Sequence, residues 1–393
     1  MILSQISAQM GICQYPAEMD RVFETIKNDP TPACDLQAIE NLQKEYDIFG
    51  QFYTDVVETA NAINEDAAYR LWVKTAVAFG KQSTIKQLKD IPVPPVQDSK
   101  VLDYLPVQIL IGLIPDSIEQ YTNRGFSDQE IRSLLDSYKH SLSVMQTLQG
   151  RPGYNTVYFH WQSIFAKAGI FETDGMQFEL FQLPDSAVYL KNIQSGEIVA
   201  VFTGGLFHAS AMQMVGSKGY EDAEGAFSVS FEEDEDNYYG HRSLVQKADR
   251  NKSVFPKNQW ICLAKPGDDC LSIHIPSGAD ISPATMDKAI ASARKILKER
   301  FPEHGSAMIY GASWILDPVL EDFLKESSNI LQFAHRFVRY PGKSDGTHAF
   351  NLIFQKHYDD YNLLPENTSL ERGLKKLFLS GRYIYFYHGI IPE

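Results

Sequence analysis

Apolar residues in the first part of the chain recur at spacings of three and four, the period of an α-helix with one face turned to a core. Leu36, Ile39, Leu42, Tyr46, Phe49, Phe52, Val56 and Ala60 keep that spacing and predict one helix over Asp35–Ile63. Ala68, Leu71, Val73, Ala76 and Phe79 predict another over Asp66–Leu88. A shorter amphipathic helix, Glu18–Asn28, stops at Asp29-Pro30, because the residue before a proline is pushed out of the helical region. Asp90–Ser99 carries three prolines and reads as a surface loop. Asp103–Tyr121 is apolar enough for a buried helix, interrupted near Pro115. Ser127 with Glu130 three residues later forms a capping box for a helix over Ser127–Leu148. That helix ends at Gly150-Arg151-Pro152-Gly153, and one more, Asn155–Ala168, follows with Trp161, Ile164 and Phe165 on its apolar side.

The periodicity then shortens to two. Met176–Leu183, Val188–Asn192 and Glu197–Thr203 read as strands, the last two joined by Gln194-Ser195-Gly196. Ala209–Val215, Ala226–Phe231 and Gln259–Ala264 are further candidates, and Glu232–Arg250 is polar and acidic with no clear strand pattern. After these come a strand Ala307–Ile315, a short helix Pro318–Glu326 closed by Asn329, a strand Ile330–Arg339 and its hairpin partner Ala349–His357. A helix Ser369–Phe378 and an aromatic strand Tyr383–His388 complete the series.

Leu271–Pro302 is the best punctuated stretch. Leu271, Ile273 and Ile275 alternate with Ser272 and His274 as one strand; Pro276 ends ladder pairing and Gly278 permits a sharp turn. Ser282 is placed as an N-cap before Pro283, and Met286, Ile290, Ala293 and Leu297 form one helical stripe. A strand, a turn and a helix N-terminus together present backbone amides suited to an anionic ligand. The turn lacks both the lysine of a P-loop and the glycines of a dinucleotide fingerprint.

The segments HIPSGADISP, YGASWILDPVLEDFL and SSNILQFAHRF resemble a bacterial acyltransferase family in which a helical N-terminal acyltransferase domain precedes a GNAT-like C-terminal domain. The likeness extends through DYLPVQILIGLIPDSIEQYTNRGFSDQEIRSLLDS and HWQSIFAKAGIF, and so covers most of the chain. It implies an α+β protein, a helical domain followed by a GNAT-like mixed-sheet domain; the breaker cluster Gly150–Gly153, across which the periodicity switches, sets the expected bounds at 1–150 and 151–393. In such folds Leu271–Pro276 and Ala307–Ile315 are parallel neighbours joined through the helix that follows Ser282. Their far ends splay and admit the pantetheine arm of an acyl-CoA as an extra strand would enter.

The resemblance implies acyl transfer from an acyl-CoA co-substrate to an amine acceptor, a small molecule, by direct attack. His274 is the candidate base and Ser313 a candidate donor to the leaving thiolate; Ile275, Ser277, Gly278 and Ala279 are the candidate CoA-binding turn, with Trp314 and Tyr310 lining a substrate pocket. Each has a plainer alternative: His274 as a structural imidazole, Trp314 as a core aromatic, the turn as a capped helix start without a ligand. GNAT enzymes usually carry Q/R-x-x-G-x-G/A at this turn, whereas here one glycine is followed by Asp280. They also often place a tyrosine acid on the next helix, but Pro318–Glu326 contains Phe323 and no tyrosine. The second function class is therefore a non-catalytic GNAT-like protein that binds a small molecule or a partner. A hydrolase using Ser277 or Ser313 has no G-x-S-x-G context.

Composition narrows the picture further. A 393-residue chain that is 44% hydrophobic is long enough for two cores. A net charge of −14 argues against sequence-independent nucleic-acid binding, which requires phosphate neutralisation. Cys13, Cys34, Cys262 and Cys270 form no CxxC pair, and His335, His348 and His357 have no ligand-like spacing, so no metal is expected. Glu232–Asp236 reads as a solvated loop, with capture of a cationic acceptor the lesser alternative. Val107–Ile114 is too short to cross a bilayer, so no membrane partner is expected. The absence of a basic-then-apolar leader leads to the expectation of a reducing cytoplasm.

Overall fold

Six side chains set where helices of the first half begin. Asp35, Asp66, Thr84, Ser99, Ser127 and Asn155 each accept a hydrogen bond from a first-turn amide that has no partner inside its own helix. The structure, a computed structural model, describes residues 2–95, 99–346, 348–354, 358 and 360–393. It forms two compact units, Met1–Glu172 and Thr173–Glu393.

The first unit is built of α1 (Leu3–Gln9), α2 (Glu18–Ile26), α3 (Leu36–Tyr46), α4 (Tyr53–Glu65), α5 (Ala67–Gln82), α6 (Ile85–Lys89), α7 (Lys100–Ile111), α8 (Ile114–Asn123), α9 (Asp128–Gln149) and α10 (Thr156–Ala166). The single helix expected over Asp35–Ile63 is two. Asp47 adopts φ 52°, which ends the α3 ladder, and a 3₁₀ turn at Gly50–Phe52 leads into α4. Ile48 and Phe49 are both fully buried, and the break lets these consecutive residues reach the core together. Asp66–Leu88 likewise divides at the Thr84 capping box. Lys100–Asn123 is apolar and long enough to cross a membrane, but it is two helices, and 67% of its most apolar window is buried. Gly150 takes φ 71° at the end of α9, and Gly153 lies so close to Asp103 that a Cβ would sit 2.6 Å from its carbonyl oxygen. α10 packs on α6, α7, α8 and α9, so the compact units divide after it and the Gly150–Gly153 cluster is a turn inside the first. Residues 96–98 of the expected 90–99 loop lie outside the described residues.

In the second half the strands are β1 (Ile170–Thr173), β2 (Met176–Gln182), β3 (Ala187–Asn192), β4 (Ile198–Phe202), β5 (Leu206–Phe207), β6 (Phe227–Ser228), β7 (Phe231–Glu233), β8 (Asn237–Gly240), β9 (Ser253–Pro256), β10 (Trp260–Ala264) and β11 (Asp269–His274). After them come α11 (Pro283–Arg300), β12 (Ile309–Ser313), α12 (Asn329–Ala334), β13 (Val338–Pro341), α13 (His348–Phe354), α14 (Ser369–Leu379) and β14 (Tyr387–Ile391). The main sheet runs β1-β2-β11-β12-β14-β13, with a smaller sheet β10-β3-β4. β11 and β12 are its parallel pair, joined through α11, as expected. The fold is α+β, helices first and a mixed sheet after them.

Two expected strands are helices. Ile330–Arg339 contains α12 and only then β13: Ile330, Phe333, Ala334 and Phe337 stand at helical spacing, which prevails over the β-branched and aromatic content. Asn329 accordingly begins α12 instead of closing the helix before it. Ala349–His357 falls on α13, and residues 355–357, including His357, lie outside the described residues. Ala209–Val215 contains no strand, and Ala226–Phe231 holds only β6 and the start of β7. The acidic run is the turn of the β7–β8 hairpin: the Asp234 carboxylate accepts the amides of Asp236 and Asn237. The terminal strand starts at Tyr387, four residues later than expected at Tyr383.

Candidate active site

Register fixes which side chains share a face of the main sheet. Ser272 pairs with Glu179 on one side and with Tyr310 on the other; Tyr310 pairs with Ile390, and Tyr340 with His388. Because side chains alternate, Glu179, Ser272, His274, Tyr310, His388 and Tyr340 project from one face. A core cluster containing Cys270, Tyr310, Tyr340 and Ile390 lies on that face.

At its open end is His274. Its Nε2 lies 3.0 Å from Oε2 of Glu179, two residues along β2 from the strand partner of His274, Gln177. This is the diagonal cross-strand relation that long side chains span. Glu179 is 5% exposed, whereas the His274 side chain keeps 31% of its surface. A buried carboxylate thus orients the ring of a partly exposed imidazole.

Pairing between β11 and β12 ends short of His274. β11 and β12 are in register at Leu271–Ile309 and Ser272–Tyr310, and no further. Past that point β11 continues to His274 along β2 alone, and β12 continues to Ser313 along β14 alone. Since Leu271 N donates to Met308 O across the parallel pair, alternation along β11 directs the amide of Ile273 to the same edge, and Ile275 is the next residue of that parity, just past the strand end.

Deeper on the same face, the Tyr310 hydroxyl and His388 Nδ1 share a 2.6 Å hydrogen bond. The His388 ring stacks on Tyr340 at 5.3 Å between centroids, and the Tyr340 hydroxyl lies 2.5 Å from Ser186 Oγ. Burial lowers the His388 pKa to about 4 and raises that of Tyr310, so both are neutral at physiological pH. Tyr310, expected in a substrate pocket, is 3% exposed and part of this buried set.

The other expected residues are dispersed. Ser313 is on the opposite face of β12 from Tyr310, and its Oγ accepts the amide of Ile315, so strand alternation separates it from His274. Trp314 follows it in a 3₁₀ turn and is 8% exposed, a core aromatic. Ile275, Ser277, Gly278 and Ala279 do form the turn between β11 and α11, with Gly278 at φ 80° and Ala279 N donating to Pro276 O. Ser282 starts α11, but its hydroxyl does not cap it. It donates to Asp280, whose carboxylate also accepts Ser282 N and Thr285 Oγ1. These bonds, Thr285's first, hold the Asp280 carboxyl below its ordinary range. The turn that would meet a pyrophosphate therefore carries a fixed negative charge.

Glu179 and His388 escaped the reading of the sequence. Alternation in Met176–Gln182 puts Gln177 and Glu179 on one side, but only the β2–β11 register shows that this side is His274's.

Residues 175–391 match the GNAT-like C-terminal domain family, more than half of the chain. The chain belongs to that family. No curated protein matches it. Among solved structures, an acyltransferase in complex with decanoyl-CoA aligns at TM-score 0.67 and 17% identity over all of this chain and 99% of its own. A mutant acyltransferase in complex with octanoyl-CoA aligns at 0.65, and an acyltransferase in complex with decanoyl-CoA and teicoplanin at 0.64, both also at 17% identity and the same coverage. At that identity the likeness establishes a shared fold across the GNAT-like domain and the helices before it.

Proposed function

We propose that the protein transfers an acyl group from an acyl-CoA to an amine acceptor by direct attack. The observation that carries this reading is the His274–Glu179 pair at the point where β11 and β12 cease to pair. Pantetheine would enter that gap as an added strand, with the amide of Ile275 donating to the thioester carbonyl as negative charge develops on its oxygen. The amine nitrogen attacks the carbonyl carbon while His274 takes its proton; Glu179 orients the ring and stabilises the imidazolium. Collapse breaks the C–S bond, and the proton held on His274 balances the departing CoA thiolate. Acceptors built like the teicoplanin of one solved relative are one class to try.

A second reading, a non-catalytic GNAT-like protein that binds a small molecule or a partner, is favoured by the turn. There Asp280 is negative, and the amides of Ala279 and Ser282 already serve internal bonds. Calorimetric titration with acetyl-, octanoyl- and decanoyl-CoA, followed by mass analysis of a mixture with primary amines, decides between them. Binding with a new amide product is expected; failure of every acyl-CoA to bind would remove the enzyme reading.

A further inference from the structure

The opposite face of β12 and β14 leads to a separate site. Ser313 and its strand partner Tyr387 lie on that face, and beyond Ser313 the chain turns through Trp314–Leu316 to Asp317. A cavity of about 190 Å³ lies here, lined by Gln213, Tyr220, Asp317, Arg382, Tyr385 and Tyr387 among others. Asp317 is 3% exposed and accepts two backbone amides, Val319 at 2.9 Å and Tyr385 at 2.7 Å. A carboxylate offers roughly four lone-pair directions, so acceptor capacity remains. Gln213 is 2% exposed, and its Oε1 has no hydrogen-bond partner among the described residues.

The cavity thus holds two buried acceptors with capacity to spare, Asp317 and Gln213 Oε1, beside the Arg382 side chain that also lines it. The Tyr385 hydroxyl is committed to Lys218 O at 2.8 Å. The two guanidinium groups that act on Asp317 are each paired elsewhere, Arg382 with Asp322 at 2.9 Å and Arg339 with Glu321 at 3.2 Å. Tyr220 and Tyr385 meet edge to face at 5.8 Å and wall the space with aromatic surface, which favours a cation over a neutral group. A group with several N–H donors and a positive charge meets all of these demands, and an ammonium has three donors where a hydroxyl has one.

We infer that this cavity binds the ammonium group of an organic amine through Asp317 and Gln213, whether or not the acyl transfer proposed above takes place. An amine held there as a cation has no lone pair for attack, so the cavity is a recognition site and not the reacting centre.

Calorimetry at about pH 8, above the raised pKa of Asp317 of about 7, with benzylamine hydrochloride and with benzyl alcohol as the neutral isostere, tests this in the absence of any CoA. Benzylamine should bind at least about tenfold more tightly than the alcohol, and Asp317→Asn should lower its affinity by about tenfold or more, as expected for a charge-assisted hydrogen bond. Gln213→Leu should lower it by roughly threefold, the scale of one neutral hydrogen bond. Equal affinity for amine and alcohol, no binding of benzylamine to the wild-type protein, or a folded Asp317→Asn with wild-type affinity would each overturn the inference. Should Asp317→Asn prove unfolded by circular dichroism, the wild-type comparison and Gln213→Leu still decide. Failure of acyl-CoA binding would leave these titrations untouched, so the two proposals fail separately.

Discussion

Two imidazoles project from the same face of the same sheet and behave as different groups. His274 stands at the end of β11, where one neighbouring strand has fallen away; it keeps 31% of its surface and is bonded to a carboxylate. His388, on β14 between β12 and β13, is stacked on Tyr340, bonded to Tyr310 and held neutral by burial. Strand pairing makes the difference. Where ladders continue on both sides, the face is sealed and an imidazole becomes a packing element. Where one ladder stops, the same residue type acquires access while keeping an orienting partner. On the function proposed above, proton transfer falls to His274, while the buried His388 serves stability.

The largest expected effect breaks the comparison if it fails. His274→Ala should lower acyl-transfer turnover about a hundredfold or more, with the melting temperature almost unchanged. Glu179→Gln keeps the shape but loses the charge, and should cost roughly ten- to a hundredfold through the orientation of the ring. Steady-state kinetics beside thermal unfolding read both. A His274→Ala protein with full turnover would remove the role given to it.

His388→Ala should show the converse. It opens a cavity and leaves the Tyr310 hydroxyl without its partner, so we expect a loss of about 2–4 kcal/mol in urea unfolding. Turnover measured well below the new melting temperature should change little. A stability change below the error of the method would mean that this cluster is not the packing element described.

How much of this could be read from residues alone also follows the ladders. The strand, turn and helix at Leu271–Pro302 were legible because alternation, Pro276, Gly278 and Pro283 are local signals. The resemblance carried the parallel placement of β11 and β12. The missed pieces depend on register or on competing periods. Glu179 belongs to the site only because Ser272 is its partner, and Ser313 leaves it because β12 alternates. The short apolar run of α12 satisfies both the strand and the helix pattern, and the fold resolves it as a helix with Leu331, Phe333 and Ala334 buried. Asp47 broke a helix whose apolar stripe runs through the break without interruption.

The pH dependence of stability sharpens the comparison, because His388 and Asp317 act against each other. For His388, lowered from 6.5 to about 4, the unfolded chain binds a proton that the folded chain refuses, so its stabilisation is complete above pH 6.5 and lost as pH falls toward 4. For Asp317, raised from 3.8 to about 7 mainly by burial, the folded chain holds the extra proton. Stability from this group therefore falls as pH rises from 4 to 7. Each slope is roughly 1.4 kcal/mol per pH unit inside its window, and between about 4 and 6.5 they cancel. His388→Gln should unmask a curve that falls with rising pH, and Asp317→Asn one that rises. Urea midpoints across pH 4–7 check this, and two variants with parallel curves would refute the opposition.

The smallest expected effect concerns the turn between β11 and α11, where the open end of the sheet meets the start of a helix. Asp280 is exposed, and its charge stands near the first turn of α11, whose dipole and amides would otherwise favour a phosphate. Asp280→Asn removes that charge and keeps an oxygen for the Ser282 amide, so the turn should persist. Removing one exposed charge beside a helix start is a small electrostatic change, so acyl-CoA affinity should rise by roughly two- to fivefold. The gain should shrink as salt is raised, since screening acts on the exposed repulsion. Titration of both proteins with octanoyl-CoA at two ionic strengths measures it. A gain that ignores salt would point to a rearranged turn, and no gain at either strength would place the pyrophosphate away from α11. That outcome would leave the gap at His274 open to a ligand but deny it the phosphate site typical of GNAT-like folds.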